Sequence, residues 1–233
     1  MKARTLIVLS IGVIGAALAA PSQAATPATY EGLAAVQSRN LDELYLRPNA
    51  DLAGYRKVVI DPVQVAFQKD WNKVFVDLHG VTRRLRQDDV QRIADDTAST
   101  MQRAVAEAFK AGGYEIAAAP GPGVLRLSPS VIDLYVDAAE DLSPGTTKSF
   151  TKDAGEATLI LEARDSASGT LLARVVDHRT ARETQGINAR DLRRTTSVSN
   201  IFWFDATFGR WATACVKEFE AGKSSKIGFE PRR

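Results

Sequence analysis

Four aspartates, Asp61, Asp133, Asp137 and Asp177, lie within or at the ends of segments whose β-branched content and alternation predict strands. Two carboxylates on facing strands can split their pKa values and work as general acid and base. Strand-end aspartates also accept from turn amides, cap neighbours or face solvent. The second reading is favoured, because a fold position alone makes no site. A cleft pairing two of these acids near His178 would point to a hydrolase, and a flat surface would not. Histidine is the commonest general base and metal ligand, and only His79 and His178 are present. Neither has a His or Cys two to four residues downstream, and H-E-x-x-H, C-x-x-C and G-x-S-x-G patterns are absent. No catalytic residue, cofactor or metal ligand is assigned.

The stretch "RKVVIDPVQVAF", Arg56 to Phe67, puts Asp61 in a strand-like run with Pro62 behind it. Proline has no N–H and is confined in sheets to edges, first positions or bulges. The expectation is a bulge or unpaired edge at Pro62, with Asp61 answering local amides or solvent. Pro129 is expected to interrupt a second strand, "VLRLSPSVIDLYV", in the same way. The "PGPG" before that strand is read as a turn, since a phosphate cradle would open into a helix.

The elements that position these residues follow from periodicity. Residues 88–111 repeat apolar positions at helical spacing, with Asp88 as the expected cap, Gln91 completing a capping box and Gly112-Gly113 as the stop. Residues 114–118 read as a short strand, and 138–153 and 179–199 as polar loops. "ATLILEARDSASGTLLARVVD" reads as a hairpin turning at Gly169. A final helix starts near Ser199 or Asn200 and stops at Gly222, with Ile201, Phe204, Phe208, Trp211, Cys215 and Phe219 along one stripe. Cys215, the only cysteine, is expected to be a buried, inert thiol within that stripe; a reactive or dimer-forming thiol is the alternative. The pattern predicts an α+β domain: a mixed, mostly antiparallel sheet with two amphipathic helices on one face.

The first 24 residues have Lys2 and Arg4, an uncharged apolar run from Leu6 to Ala20, and small residues before a cleavage point between Ala24 and Ala25. This is the layout of a secretory signal peptide. The run is too short and too rich in Gly and Ala for a spanning helix. The expected organisation is leader 1–24, flexible lead-in 25–40, one domain over 41–222, and tail 223–233. Cleavage removes two of 30 cations and none of 28 acids, leaving 28 of each. Nucleic-acid binding thus lacks electrostatic support. The local cluster Arg83, Arg84 and Arg86 is followed by Asp88 and Asp89 and is read as a solvated helix-entry loop. Aromatics crowd "NIFWFDATFGRW"; Phe202 and Trp203 fall off the main stripe, near Arg193 and Arg194, and form the candidate partner-binding region.

The chain resembles the bacterial envelope family known as domain of unknown function 3313. The resemblance runs from about Asn49 to Phe219. It rests on "PNADLAGYRKVVIDPVQV", "PGPGVLRLSPSVIDL", "DAGEATLILEARDSASGTLLARVVDHR" and the "RWA" at Arg210 to Ala212. It implies export, and for many members a lipoprotein form, but no established activity, cofactor or catalytic residue. This chain lacks the lipid-acceptor cysteine after its cleavage point, so no lipid anchor is expected. The reading is a periplasmic protein of a Gram-negative bacterium, a non-enzymatic binding or envelope-assembly module. Its partner would be another envelope protein, met through a sheet edge or the aromatic-arginine region. The alternatives are a hydrolase using strand-end aspartates and a carrier of a small apolar ligand.

Overall fold

The computed structural model describes residues 29–71, 75–76, 82–83, 86–136, 153–182 and 197–224. The expected leader and its expected cleavage point lie outside them. The chain opens with β1 (Thr29–Tyr30) and β2 (Leu33–Val36), an antiparallel pair turning through Glu31 and Gly32, both at positive φ. These strands fall within the segment 25–40 read as a lead-in, whose residues 25–28 lie outside the described ones. Leu33 is buried with Tyr45 and Leu171, which gives the hairpin an apolar attachment of its own.

Then follow β3 (Glu43–Leu46), β4 (Lys57–Ile60), β5 (Gln64–Phe67), β6 (Phe75–Val76) and β7 (Thr82–Arg83). Next come α1 (Gln87–Ala111), β8 (Glu115–Ile116), β9 (Val124–Val136), β10 (Asp153–Asp165), β11 (Leu171–Arg182) and α2 (Ser197–Ser224). Nine strands form one sheet in the order β1-β2-β3-β11-β10-β9-β4-β8, with β5 also on β9. Pairing is antiparallel except where β4 runs parallel to β8 and β9, and β5 parallel to β9. β6 and β7 pair separately, so Arg83 sits in a strand, not in a helix-entry loop. The fold is the α+β class the sequence predicts.

Strand alternation decides the layers. Leu125, Leu127, Val131, Leu134, Leu159, Leu161 and Val175 all point to one face and are buried there. Met101, Val105 and Phe109 of α1 meet them, as do Phe204, Phe208, Trp211 and Phe219 of α2. Each such side chain contributes about 1.5–3 kcal/mol when fully buried. Where α1 ends against α2, Gly112 is required: a Cβ there would lie 2.6 Å from Val216 Cγ1.

Several element boundaries differ from expectation. The cap of α1 is Arg86, without a side-chain cap bond, and Asp88 and Asp89 lie in the first turn, where they suit the helix dipole. Gln91 donates to Asp95 instead of closing a capping box. β11 runs on to Arg182 because β10 offers a ladder partner as far as Asp153. Helix α2 passes through Gly222, whose missing side chain lets Leu52 and Leu46 approach within 3.3 and 3.4 Å of a Cβ position.

Candidate functional site

Asp61 and Pro62 fall in the gap between β4 and β5, both of which lie along β9. Ile60 pairs with Leu127 and Gln64 with Ser130, so one extra residue is accommodated: a bulge, as expected for Pro62. Pro129 does not interrupt its strand; β9 is continuous and Pro129 is in register with Leu161. Leu127 O accepts from Asp61 N at 2.8 Å, so by two-residue alternation the nitrogen of Pro129 faces the same gap. Both prolines therefore face the same break in the pairing of β9 with β4 and β5.

The sequence suggests local amides or solvent around Asp61, but two side chains hold it instead. Arg126 Nε donates to both its oxygens at 2.9 Å, and Ser128 Oγ donates to Oδ2 at 2.6 Å. Arg126 and Ser128 alternate with the buried Leu125 and Leu127, so this group lies on the face away from the helices. The same face carries Glu162, bonded by Arg164 at 2.9 Å and by Arg174, whose guanidinium lies 4.4 Å from the Tyr30 ring centroid. His178 is exposed there, its Nε2 3.6 Å from Glu156 Oε2.

Asp177 sits on the opposite face. It is paired in register with buried Leu159 and is 1% exposed. Its Oδ1 accepts from Asp42 N at 3.1 Å and its Oδ2 from Arg179 Nε at 2.6 Å. Asp42 Oδ2 in turn accepts from His178 N at 2.8 Å. Burial holds the Asp177 carboxyl above its usual pKa, against the pull of Arg179 and of the Asp42 amide. Next to it, burial pushes the Cys215 thiol well up, which makes the thiolate scarce and the group inert while the fold is closed.

The sheet thus separates the candidate acids. Asp61 and Asp177 lie on opposite faces and cannot share a substrate as acid and base. Asp133 is the extra residue of a bulge in β9, at φ 50° and exposed: Val131 and Leu134 pair with Val65 and Phe67. Asp137 and His79 lie outside the described residues, as do Arg84, Arg193 and Arg194. Phe202 and Trp203 fall within α2, but their side chains lie outside the described ones. Among the described residues, no group of three or more His, Cys, Asp or Glu could hold a metal ion, and no helix is long and apolar enough to cross a membrane.

Two phenols give a signal that composition did not reveal. Tyr55 donates to Asp165 Oδ2 at 2.8 Å, and Tyr114 to Glu220 Oε1 at 2.7 Å beside Lys223. Burial, then the accepting carboxylate, pushes Tyr55 up to about 12 and Tyr114 higher still. Both raised phenols contribute stability that is complete below pH 10 and is lost as pH rises through their folded values. Both phenols are expected to ionise late in a titration followed by ultraviolet absorbance. Tyr55→Phe should remove one late-titrating phenol; an unchanged late phase would refute the assignment.

With this geometry in view, the chain can be compared with known proteins. The family described as protein of unknown function DUF3313 matches residues 20–197. The chain belongs to this family. The match starts within the segment read as a leader and ends where α2 begins, so the "RWA" of Arg210 to Ala212 lies beyond it. No curated protein matches the DUF3313 chain. Among solved structures, the dodecameric PelC of Paraburkholderia phytofirmans is 13% identical, covering 73% of this chain and 96% of that one at a TM-score of 0.36. A DUF330 protein of Xanthomonas campestris is 11% identical, covering 73% and 87% at a TM-score of 0.38. A minor lipoprotein of Acinetobacter baumannii is 9% identical, covering 72% and 93% at a TM-score of 0.30. At such scores these likenesses carry no argument about function.

Proposed function

We propose that this DUF3313 protein is exported to the periplasm and acts there as a non-enzymatic binding or assembly module. The observation that carries the reading is the two-layer build. Both helices pack on one face of the sheet, and among the described residues the other face carries Ile132, Ile160, Val176 and Tyr135 among rows of ion pairs. Tyr135 is the large apolar side chain most open to solvent among the described residues, at 41%. Tyr135 lies opposite Glu156 across the β9–β10 ladder, and an exposed aromatic among aliphatic and polar side chains suits a protein interface.

The occupant this face fits is another folded envelope protein whose own contact surface is close to neutral. Cations and acids on the face neutralise one another in place: Arg126 with Asp61, Arg174 with Glu162, and Arg164 with Glu162 and Glu31. Such a face has no net field to attract nucleic acid or an anionic membrane. Strand addition at the outer edges is less favoured, because β1 and β8 are two residues long and offer few ladder bonds.

Export is tested on the chain carrying its own leader in a Gram-negative host. A periplasmic product whose first residue is Ala25 is expected by mass spectrometry after osmotic release. An intact Met1 in the membrane fraction would replace the cleaved leader by a retained anchor.

A further inference from the structure

The connection between β2 and β3, residues 37–42, is fastened in an unusual manner. Among the described residues, none of its backbone bonds runs to another backbone group outside the strands. Side chains do all the fastening. Ser38 Oγ donates to Glu218 Oε1 at 2.7 Å and accepts from Asn40 N and Leu41 N at 3.1 Å. Asn40 Nδ2 donates to the same Glu218 oxygen at 3.2 Å, and Arg179 donates to Asn40 O at 2.6 Å. At the far end, Asp42 and Asp177 replace the next rung of the β3–β11 ladder with the two carboxylate-to-amide bonds already described.

The only buried residue of the connection is Leu41, which enters the same core cluster as Cys215. The connection is anchored on α2 close to that thiol, since Ser38 and Asn40 bond Glu218, three residues beyond Cys215. Asp177, Arg179 and Glu218 are the charges that act on Cys215, and Glu218 lies one turn beyond it on α2. Segments held by few apolar contacts and no shared ladder open at lower free energy than the core around them.

We propose that residues 37–42 form a strap that opens as a local unit, withdraws Leu41 and gives reagents access to Cys215 without unfolding the sheet. The strap is a conformational device independent of the partner surface on the opposite face. It predicts a hidden thiol whose exposure is set by Ser38, Asn40, Asp42 and Glu218, not by overall stability.

The test follows modification of Cys215 in the folded chain by a small aromatic disulfide reagent, at one pH and several reagent concentrations. Ser38→Ala combined with Asn40→Ala removes the bonds to Glu218. Labelling should become about tenfold faster or more, because each lost bond ends on a charged acceptor. The denaturant midpoint should move little. Val58→Ala supplies the control: it thins the core at a residue 0% exposed and should lower the midpoint while leaving native labelling near the original rate. Labelling that instead follows global stability in both variants would mean that Cys215 is reached only by unfolding, and would overturn the proposal. So would an unchanged rate in the strap variant. Amide exchange at Asp42 and His178 gives a second reading. Faster exchange there with unchanged thiol labelling would show a strap that opens without uncovering Cys215, which also contradicts the proposal.

Discussion

Gly155→Ala is expected to destabilise the fold by about 3 kcal/mol or more, since it combines a forbidden backbone with a hard clash. Gly155 has φ 149°, and a Cβ built on it would lie 2.1 Å from Tyr135 O and 2.9 Å from Phe204 Cζ. Neither neighbour has room to withdraw. Tyr135 is in the adjacent strand, where Gly155 pairs with Val136, and Phe204 is in the buried stripe of α2. The position also marks a bulge in the ladder with β11, between Asp153 and Gly155. Glycine here lets β10 pass under α2 where any side chain would force the layers apart. Gly169→Ala provides the comparison. It also has positive φ, at 73°, but nothing lies within 4 Å of its Cβ position. Its cost should be only about 1–2 kcal/mol, the backbone component alone. Equal midpoints for the two variants in urea unfolding would rule out the close approach at Gly155.

Asp177→Ala is the second large effect, expected at about 1–3 kcal/mol for removing a buried charged acceptor. The variant leaves Arg179 Nε and Asp42 N without their acceptor; Asp177 is 1% exposed and the Arg179 side chain 34%. Most of the loss comes from those stranded donors, so Asp177→Ala with Arg179→Met should recover part of it. If the single and double variants are equally stable, the pair carries no coupling. The pH dependence has a definite sign. Burial raises the Asp177 pKa in the folded state, so folding is favoured by protonating this group. Its contribution is greatest below the ordinary carboxylate value and declines as pH rises through the folded one. Asp177 is thus a structural acid whose carboxylate accepts from Arg179 and from the Asp42 amide.

The fold class was legible because periodicity alone separates buried from open positions. Met101, Val105 and Phe109 recur at helical spacing, and Leu159 and Leu161 at strand spacing, so both layers could be assigned before any geometry. Cys215 followed from its neighbours Trp211 and Phe219 on one stripe. What could not be read was which strands would meet. Asp61 finds Arg126 only because β4 lies parallel to β9, a pairing with no local signature. Asp177 finds Asp42 only because β3 lies beside β11. Local patterns also mislead at ends. Gly222 reads as a helix stop, yet here it is a contact surface, and Pro129 reads as a break, yet it sits in a continuous strand opposite one. The strand-end aspartates divide between two faces for the same reason: alternation gives the face of each residue along its own strand, but only topology relates one strand to another.

The most direct test of the binding account asks which face meets a partner in the living envelope. A photoreactive amino acid is placed at Tyr135 or Ile160 on the uncovered face, and at Ser99 on the exposed side of α1 as control. The account predicts one discrete protein adduct from both uncovered-face positions and none from Ser99 after irradiation of intact cells. Adducts from Ser99 alone, or from none of the three positions, would contradict it.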